Sequence, residues 1–147
     1  ADVLERQGVS VLINECLSLE RDGHHIHLTG TDDAHYFHSP AAHRALARAP
    51  AGFNIALVHS PELAGVAADH GFDLYLCGHT HGGQICLPGG RPIITHLRTH
   101  KDYARGLWRH DGMDGYTSAG LGVSGVPVRF NSRGEVTVIT LRRAASS

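Results

Sequence analysis

The hydrophobic residues of this chain fall into short runs that are separated by glycine, proline and polar residues. Most of the runs are rich in β-branched residues and too short for an average helix, so they predict strands. The predicted strands cover residues 9–14, 16–20, 25–29, 53–59, 73–77, 85–87, 105–110, 115–119 and 135–141. The glycine-rich turns between the later runs indicate an antiparallel edge to the sheet. Leu107 and Trp108, in the strand over 105–110, are expected to lie in the core.

Two of these runs flank Arg21-Asp22-Gly23, a sequence that favours a tight turn and therefore a β-hairpin. In the second run of this pair, alternation places Ile26 and Leu28 on one face. It places His25 and His27 on the opposite face, which we expect to be exposed to solvent.

Two segments with helical spacing begin at Ser-Pro pairs. Ser39 and Ser60 are typical N-caps, and the proline that follows each has a φ angle suited to the first helical position. We expect helices over about 40–48 and 61–70. Because the second helix connects two predicted strands, these strands should lie parallel in one sheet. The pattern as a whole predicts an α/β fold with a mixed sheet.

The strands on either side of the second helix both lead into histidines. The first ends at His59, and the second runs into G-H-T-H-G-G-Q over 78–84, which contains His79 and His81. Carboxyl ends of neighbouring parallel strands meet at one edge of a sheet. Imidazole is the commonest side-chain metal ligand, and glycine lets a ligand approach the backbone closely. The sequence therefore predicts a metal site, and the spacing of His79 and His81 suits two ions rather than one.

Composition excludes several other classes of protein. The chain has 147 residues, of which 41% are hydrophobic and 18% are charged, and its formal net charge is -1, as expected for one globular domain. This charge gives no indication of a nucleic-acid partner. The three cysteines lack C-x-x-C spacing, which argues against a disulfide framework. No apolar run is long enough to span a membrane.

Taken together, these motifs resemble the calcineurin-like metallophosphoesterases, and in particular a bacterial branch with the signature G-H-T-H-G-G-Q. The resemblance rests on His59-Ser60-Pro61, on the signature over 78–84 and on the segment over 120–129. It covers essentially the whole chain. It implies an αββα sandwich with flanking helices, and hydrolysis of a phosphomonoester or phosphodiester at a dinuclear metal centre.

The resemblance also implies roles for the histidines. By position, His59 and His79 resemble ligands of the second metal, and His81 resembles a ligand of the first. Two divalent ions (manganese, iron or zinc) are implied for the complete domain. All three imidazoles would bind in their neutral form.

Three further residues are candidates for supporting the site or contacting the substrate. Gln84 is expected to hydrogen-bond the turn that carries the histidines. Asp33 is expected to brace a loop of the site. Arg129 is expected to hold an anionic loop or a phosphate, or to form a structural ion pair.

The family motifs D-x-H, G-D-x-x-D and G-N-H-D or G-N-H-E do not occur in this chain. In the family they supply the other ligands and a histidine that assists the leaving group. The resemblance therefore implies that residues 1–147 are the C-terminal part of a single metallophosphoesterase domain. We expect at most one ion in this chain, no catalytic residue beyond the ligands, and no activity in isolation.

The same reasoning gives the expected partners. Half of a sandwich exposes apolar surface, so self-association or a missing N-terminal fragment is expected. The substrate class is a phosphorylated small molecule or a lipid-linked compound. Localisation is open between the cytoplasm and a membrane that is reached through a missing N-terminal segment.

A function of a different class is also compatible with the sequence. Three histidines can hold one zinc ion with an open fourth position, which would make this chain a non-catalytic metal-binding or interaction module. Presence of the missing motifs upstream in the parent polypeptide would favour the enzyme, and their absence would favour the module.

Overall fold

The computed structural model describes residues 2–32 and 39–143. Its strands form one mixed sheet of six strands in the order β1-β2-β3-β4-β6-β5. In chain order the elements are α1 (Asp2–Glu5), β1 (Glu15–Arg21), β2 (His24–Gly30), α2 (Pro40–Leu46), β3 (Phe53–Leu57), α3 (Ala64–Asp69), β4 (Leu74–Cys77), β5 (Gly106–His110) and β6 (Met113–Thr117). Short 3₁₀ turns cover Pro61–Leu63, His81–Gly83 and Lys101–Tyr103. The predicted α/β fold with a mixed sheet is confirmed.

Strand directions agree with the sequence prediction in the middle of the sheet and at one edge. Strands β2, β3, β4 and β6 run parallel to their neighbours, whereas β1 and β5 are antiparallel edges. The β1–β2 hairpin turns at Asp22 and Gly23, whose φ angles are 52° and 73°. Positive φ at both central residues is the requirement of the two-residue hairpin turn that matches strand twist.

The helices begin where the Ser-Pro pairs predict. Ser39 Oγ accepts a hydrogen bond of 3.0 Å from the Ala42 amide, so the predicted N-cap of α2 is confirmed. The Ser60 side chain makes no capping hydrogen bond, so the predicted side-chain cap of the second helix is wrong; the 3₁₀ turn Pro61–Leu63 follows it and leads into α3. Within the described part of the chain, no helix is both long and apolar enough to cross a bilayer.

The hydrophobic core lies between one face of the sheet and the helices α2 and α3. Leu46, Leu63 and Tyr75 are completely buried in it. Trp108 packs at its border, with its ring centroid 5.5 Å from that of Tyr75. Leu107, by contrast, is 83% exposed, so its predicted core position is wrong. Neighbouring residues of a strand point to opposite faces, and Trp108 takes the covered one.

The prediction that His27 faces solvent is also wrong, whereas His25 is exposed as expected. The helices cover the face of β2 that carries His27, and His27 lies beside buried Asn54 in the parallel register. Its ring nitrogens lie 2.8 Å from Ser18 Oγ and 3.2 Å from the Ala51 carbonyl oxygen. These two partners allow a polar side chain to be buried at this position.

Three predicted strands do not form within the described residues. Residues 9–14 and 135–141 pair with no strand, and residues 85–87 make only isolated bridges. The segment over 135–143 is held by one backbone bond, from the Glu135 amide to the Gly120 carbonyl at 3.0 Å, and by side chains: Tyr116 donates to Glu135 at 2.9 Å, and Arg143 Nη1 lies 2.8 Å from His24 Nε2. A β-branched run becomes a strand only where a neighbouring backbone can satisfy its amides and carbonyls.

Candidate functional site

The predicted histidines lie just beyond the ends of β3 and β4. Parallel pairing continues past both strands, since the Val58 amide donates to the Leu76 carbonyl at 3.1 Å and the Gly78 amide to the His59 carbonyl at 3.0 Å. The segments that carry His59 and His79 are therefore held side by side. This places the two imidazoles next to each other at the carboxyl edge of the sheet.

The His59 and His79 rings meet through their nitrogens. His59 Nε2 lies 2.9 Å from His79 Nδ1, and the ring centroids are 4.8 Å apart at an interplanar angle of 63°. The nitrogen–nitrogen distance is that of a hydrogen bond between the rings. It is also close to the separation of two nitrogens that each lie about 2.1 Å from one ion, which is about 3.0 Å for octahedral and about 3.4 Å for tetrahedral coordination. The spacing of this pair therefore fits two ligands of a single divalent ion.

His81 is not part of this pair. A Cβ atom built on Gly122 would be 3.8 Å from Cε1 of His81, so the ring rests beside that glycine. In residues 2–32 and 39–143, no three histidine, cysteine, aspartate or glutamate side chains come close enough together to hold an ion. The structure thus brings together two of the three predicted ligands and sets the third apart.

Two hydroxyl groups that the sequence did not single out hold the loops of the site. Tyr75 donates to the carbonyl of Ser60, next to His59, at 2.7 Å. Burial raises the pKa of this phenol well above its usual range, so it remains a donor at ordinary pH. Thr80, between the two histidines of the turn, donates to the Ala104 carbonyl at 2.6 Å.

Gln84 connects the histidine turn to the opposite wall of the site. Its side-chain nitrogen Nε2 donates to the Val126 and Ser124 carbonyls at 2.7 and 3.1 Å. Its side-chain oxygen accepts from the Ser124 amide at 2.7 Å. The Gln84 side chain therefore fixes the segment over 124–126 against the turn, whereas its backbone N–H donates to the His81 carbonyl within the turn at 3.1 Å.

Arg129 and Asp33 are the other two residues that were predicted to support the site. Arg129 donates to backbone carbonyls, including that of His81 at 3.0 Å. Asp33 lies outside the described residues. Its neighbour Asp32 is described and accepts from Ser39 Oγ at 2.8 Å and from Asn14 Nδ2 at 3.0 Å, which is a loop-bracing arrangement.

A cavity of about 540 Å³ opens in front of the histidines. Four imidazoles are in its lining, because His96 joins the three predicted residues. The lining also includes four branched aliphatic side chains: Ile85, Ile93, Ile94 and Val126. The volume is in the range of small-molecule sites, about 300–1,000 Å³. The sequence favours a surface position for His96 over a place at a substrate entrance, and the structure shows an exposed residue that also lines the cavity.

Gly83 in this turn provides a sharp test of local packing. Its φ is 84°, and an added Cβ would collide with Pro92, whose Cα would be only 2.8 Å away. Gly89 has a similar φ of 88° but no atom within 4 Å of an added Cβ. Both alanine variants incur the left-handed penalty of roughly 1–2 kcal/mol. In Gly83→Ala the collision with Pro92 should lower the free energy of unfolding by about 1–3 kcal/mol more.

Urea denaturation of the two glycine variants, followed by circular dichroism, measures this difference. Gly89→Ala serves as the matched control for backbone strain. Equal free energies of unfolding for the two variants would show that the Gly83–Pro92 packing is not as described.

Proteins of known sequence resemble this chain over most of its length. It is 43% identical over 90 residues to "Uncharacterized metallophosphoesterase YkuE" of Bacillus subtilis, a match that covers 61% of this chain and 31% of that protein. It is 33% identical over 144 residues to "Phosphodiesterase YaeI" of Escherichia coli, covering 95% of this chain and 50% of that protein. A third relative, "Uncharacterized metallophosphoesterase YkoQ" of Bacillus subtilis, is 32% identical over 138 residues, which is 92% of this chain and 50% of that protein.

These matches define how much of the relatives this chain represents. The chain spans about half the length of YaeI and YkoQ, and about a third of YkuE. No family model matches the chain, and no solved structure matches it.

Proposed function

Because the chain belongs to the calcineurin-like metallophosphoesterases, we propose that it supplies part of the site of a metal-dependent enzyme that hydrolyses phosphomonoesters or phosphodiesters. The observation that carries this proposal is the pair of imidazole nitrogens 2.9 Å apart, on His59 and His79, beside a cavity of about 540 Å³. Rigid strand ends hold both rings, which is how binding groups are kept in place.

The residues of this chain then have distinct tasks. His59 and His79 would hold one ion, and His81 would contribute to a second. Two divalent ions (manganese, iron or zinc), if held in the complete domain, would lower the pKa of bound water and offset charge on the phosphoryl oxygens. Tyr75 and Thr80 hold the backbone on either side of the ligands through their bonds of 2.7 and 2.6 Å to carbonyl oxygens.

The chain on its own would hold at most one ion. His81 stands apart from the pair, and no third ligand joins the pair among the described residues. The remaining ligands would come from the motifs that this chain lacks. We therefore expect the isolated chain to bind metal without hydrolysing phosphoesters.

The missing partner would pair with the two β-branched segments that form no strand here. Val9 and Ile13 are about half exposed, and Val136 and Val138 are 78% and 87% exposed. Neither segment belongs to a strand of the described sheet, so a second sheet could pair with it. An N-terminal fragment of the same polypeptide is the expected partner, and a second copy of this chain is the alternative; light scattering would detect the latter as a dimer.

The lining of the cavity bears on the substrate. The aliphatic side chains of Ile85, Ile93 and Ile94 stand beside the imidazoles. A phosphorylated small molecule or a lipid-linked compound with an apolar group next to the phosphate would bury that group against them. The apolar wall supports this substrate class over inorganic pyrophosphate.

Hydrolysis assays test the proposed activity. The natural polypeptide that contains these residues, purified at its native length with Mn²⁺, is assayed on p-nitrophenyl phosphate and bis(p-nitrophenyl) phosphate. We expect hydrolysis of at least one compound by the unsubstituted protein and none by its His79→Ala variant. A polypeptide that binds the metal but hydrolyses neither compound, or an unaltered rate in His79→Ala, would contradict the proposal.

A further inference from the structure

The turn that carries the ligands has a backbone that ordinary residues avoid. His79, His81 and Gln84 have φ angles of 69°, 51° and 47°, and none of them is glycine. Left-handed conformations of such residues persist only where the surrounding structure holds them in place. Some contact outside the turn must therefore maintain its shape.

Arg129 makes one such contact, at the His81 carbonyl. Its guanidinium donates to the carbonyl of His81 at 3.0 Å, of Ala119 at 2.6 Å, of Gly120 at 3.1 Å and of Gly122 at 2.6 Å. A planar fork of five N–H donors can collect several carbonyls in this way, whereas a lysine ammonium cannot. The donors are used on the backbone, so Arg129 is not set up to hold a phosphate.

The Arg129 guanidinium also contacts the segment beside which the His81 ring lies. Arg129 holds the carbonyls of both His81 and Gly122, and the His81 ring rests beside Gly122. Glu135 fixes the same segment from the other side by accepting from the Ala119 amide at 2.9 Å. Although burial opposes ionisation, this bond and one from Tyr116 hold the pKa of the Glu135 carboxyl below its usual range. The segment over 119–122 is thus a fixed surface.

We propose that Arg129 is a positioning residue for His81: its guanidinium holds the His81 backbone and the glycine surface under the ring in one arrangement, so that the imidazole is aimed at its ion. The proposal rests on the proposed function for the part that concerns metal. It concerns His81 alone, because none of the Arg129 hydrogen bonds reaches His59 or His79.

Nuclear magnetic resonance of the metal-free 147-residue chain tests the positioning itself. Arg129→Lys keeps the charge and removes the fork. We expect the ring signals of His81 to shift and those of His59 to stay. The backbone amide proton of Gln84, whose nitrogen donates to the His81 carbonyl at 3.1 Å, should exchange with solvent at least about tenfold faster. Arg133→Lys, at a nearby exposed arginine, is the matched control and should change neither.

Metal content of the native-length polypeptide tests the consequence. We expect Arg129→Lys to weaken the binding of the ion that His81 would hold about 10- to 100-fold, as is typical of residues that orient a ligand, and to leave the ion of His59 and His79 bound. Failure of the unsubstituted polypeptide to bind two ions would count against the proposed function and not against the positioning seen by resonance.

Three results would overturn the positioning role. They are unchanged His81 signals and Gln84 exchange in Arg129→Lys, shifts of His59 as large as those of His81, and effects of Arg133→Lys equal to those of Arg129→Lys. If Arg129→Lys does not fold, Ser132→Ala gives the second test. Ser132 donates to the same His81 carbonyl at 3.2 Å, and its loss should move the same His81 signals by a smaller amount.

Discussion

Replacing His79 with alanine should lower the affinity of the 147-residue chain for Zn²⁺ more than about 100-fold, beyond the loss typical of residues that only support a ligand. The physical reason is that His79 Nδ1, 2.9 Å from His59 Nε2, belongs to the imidazole pair that we propose as the ligands of one ion. A single remaining imidazole holds a divalent ion only weakly. Isothermal titration calorimetry with Zn²⁺ measures the change.

Two further histidine variants make this prediction specific. His70→Ala removes an exposed imidazole at the end of α3 and should leave Zn²⁺ affinity unaltered. His81→Ala should cost much less than His79→Ala, because His81 is not part of the pair. An equal loss in His79→Ala and His81→Ala would favour the non-catalytic module in which three histidines hold one ion.

Replacing Leu63 with alanine should lower the free energy of unfolding by about 2–5 kcal/mol, the usual cost of deleting a buried leucine side chain. Leu63 has no exposed surface and lies in the 3₁₀ turn that follows His59, between the sheet and α3. The loss combines the transfer of apolar atoms to water with the cavity that is left behind. Urea denaturation followed by tryptophan fluorescence measures it, because Trp108 packs against the core.

Leu107→Ala is the matched control for the Leu63 variant. Leu107 is 83% exposed, so its truncation should change the free energy of unfolding by no more than about 0.5 kcal/mol. A loss at Leu107 as large as that at Leu63 would mean that the sequence-based assignment of Leu107 to the core was right and the strand orientation described above is wrong.

The parts of the fold that could be predicted from sequence depend on local signals. The Ser-Pro pair before α2, the Asp22-Gly23 turn and the β-strand runs around α3 each determine structure within a few residues. The wrong predictions concern segments whose structure depends on residues that are distant in the sequence. Residues 9–14 and 135–141 have the composition of strands, but a strand also needs a partner, which no local pattern reveals.

The predictions of which residues are buried in β2 and β5 were wrong for a related reason. Alternation indicates that His25 and His27 lie on opposite faces from Ile26 and Leu28, but it does not indicate which face the helices cover. The structure shows that α2 packs on the face that carries His27, where Ser18 and the Ala51 carbonyl satisfy the ring. Sequence therefore predicted the period correctly and the covered side incorrectly.

In the candidate site, too, local patterns could be predicted and long-range contacts could not. His59, His79 and His81 stand at strand ends and within a distinctive string, so the sequence could identify them. The contact of Arg129 with His81 spans 48 positions, and that of Ser132 with His81 spans 51. Such contacts depend on how the segment after β6 returns to the histidine turn. Only a three-dimensional structure can reveal them.

Metal content of the purified 147-residue chain is the most direct test of the view that this chain carries half of a two-ion site. Plasma mass spectrometry, after equilibration with excess Zn²⁺ and removal of loosely bound ions, is combined with intact mass from the same sample. We predict one ion per chain, lost in His79→Ala. Two tightly bound ions at the mass of 147 residues would contradict a partial site, and no ion at all would contradict the assignment of His59 and His79 as ligands.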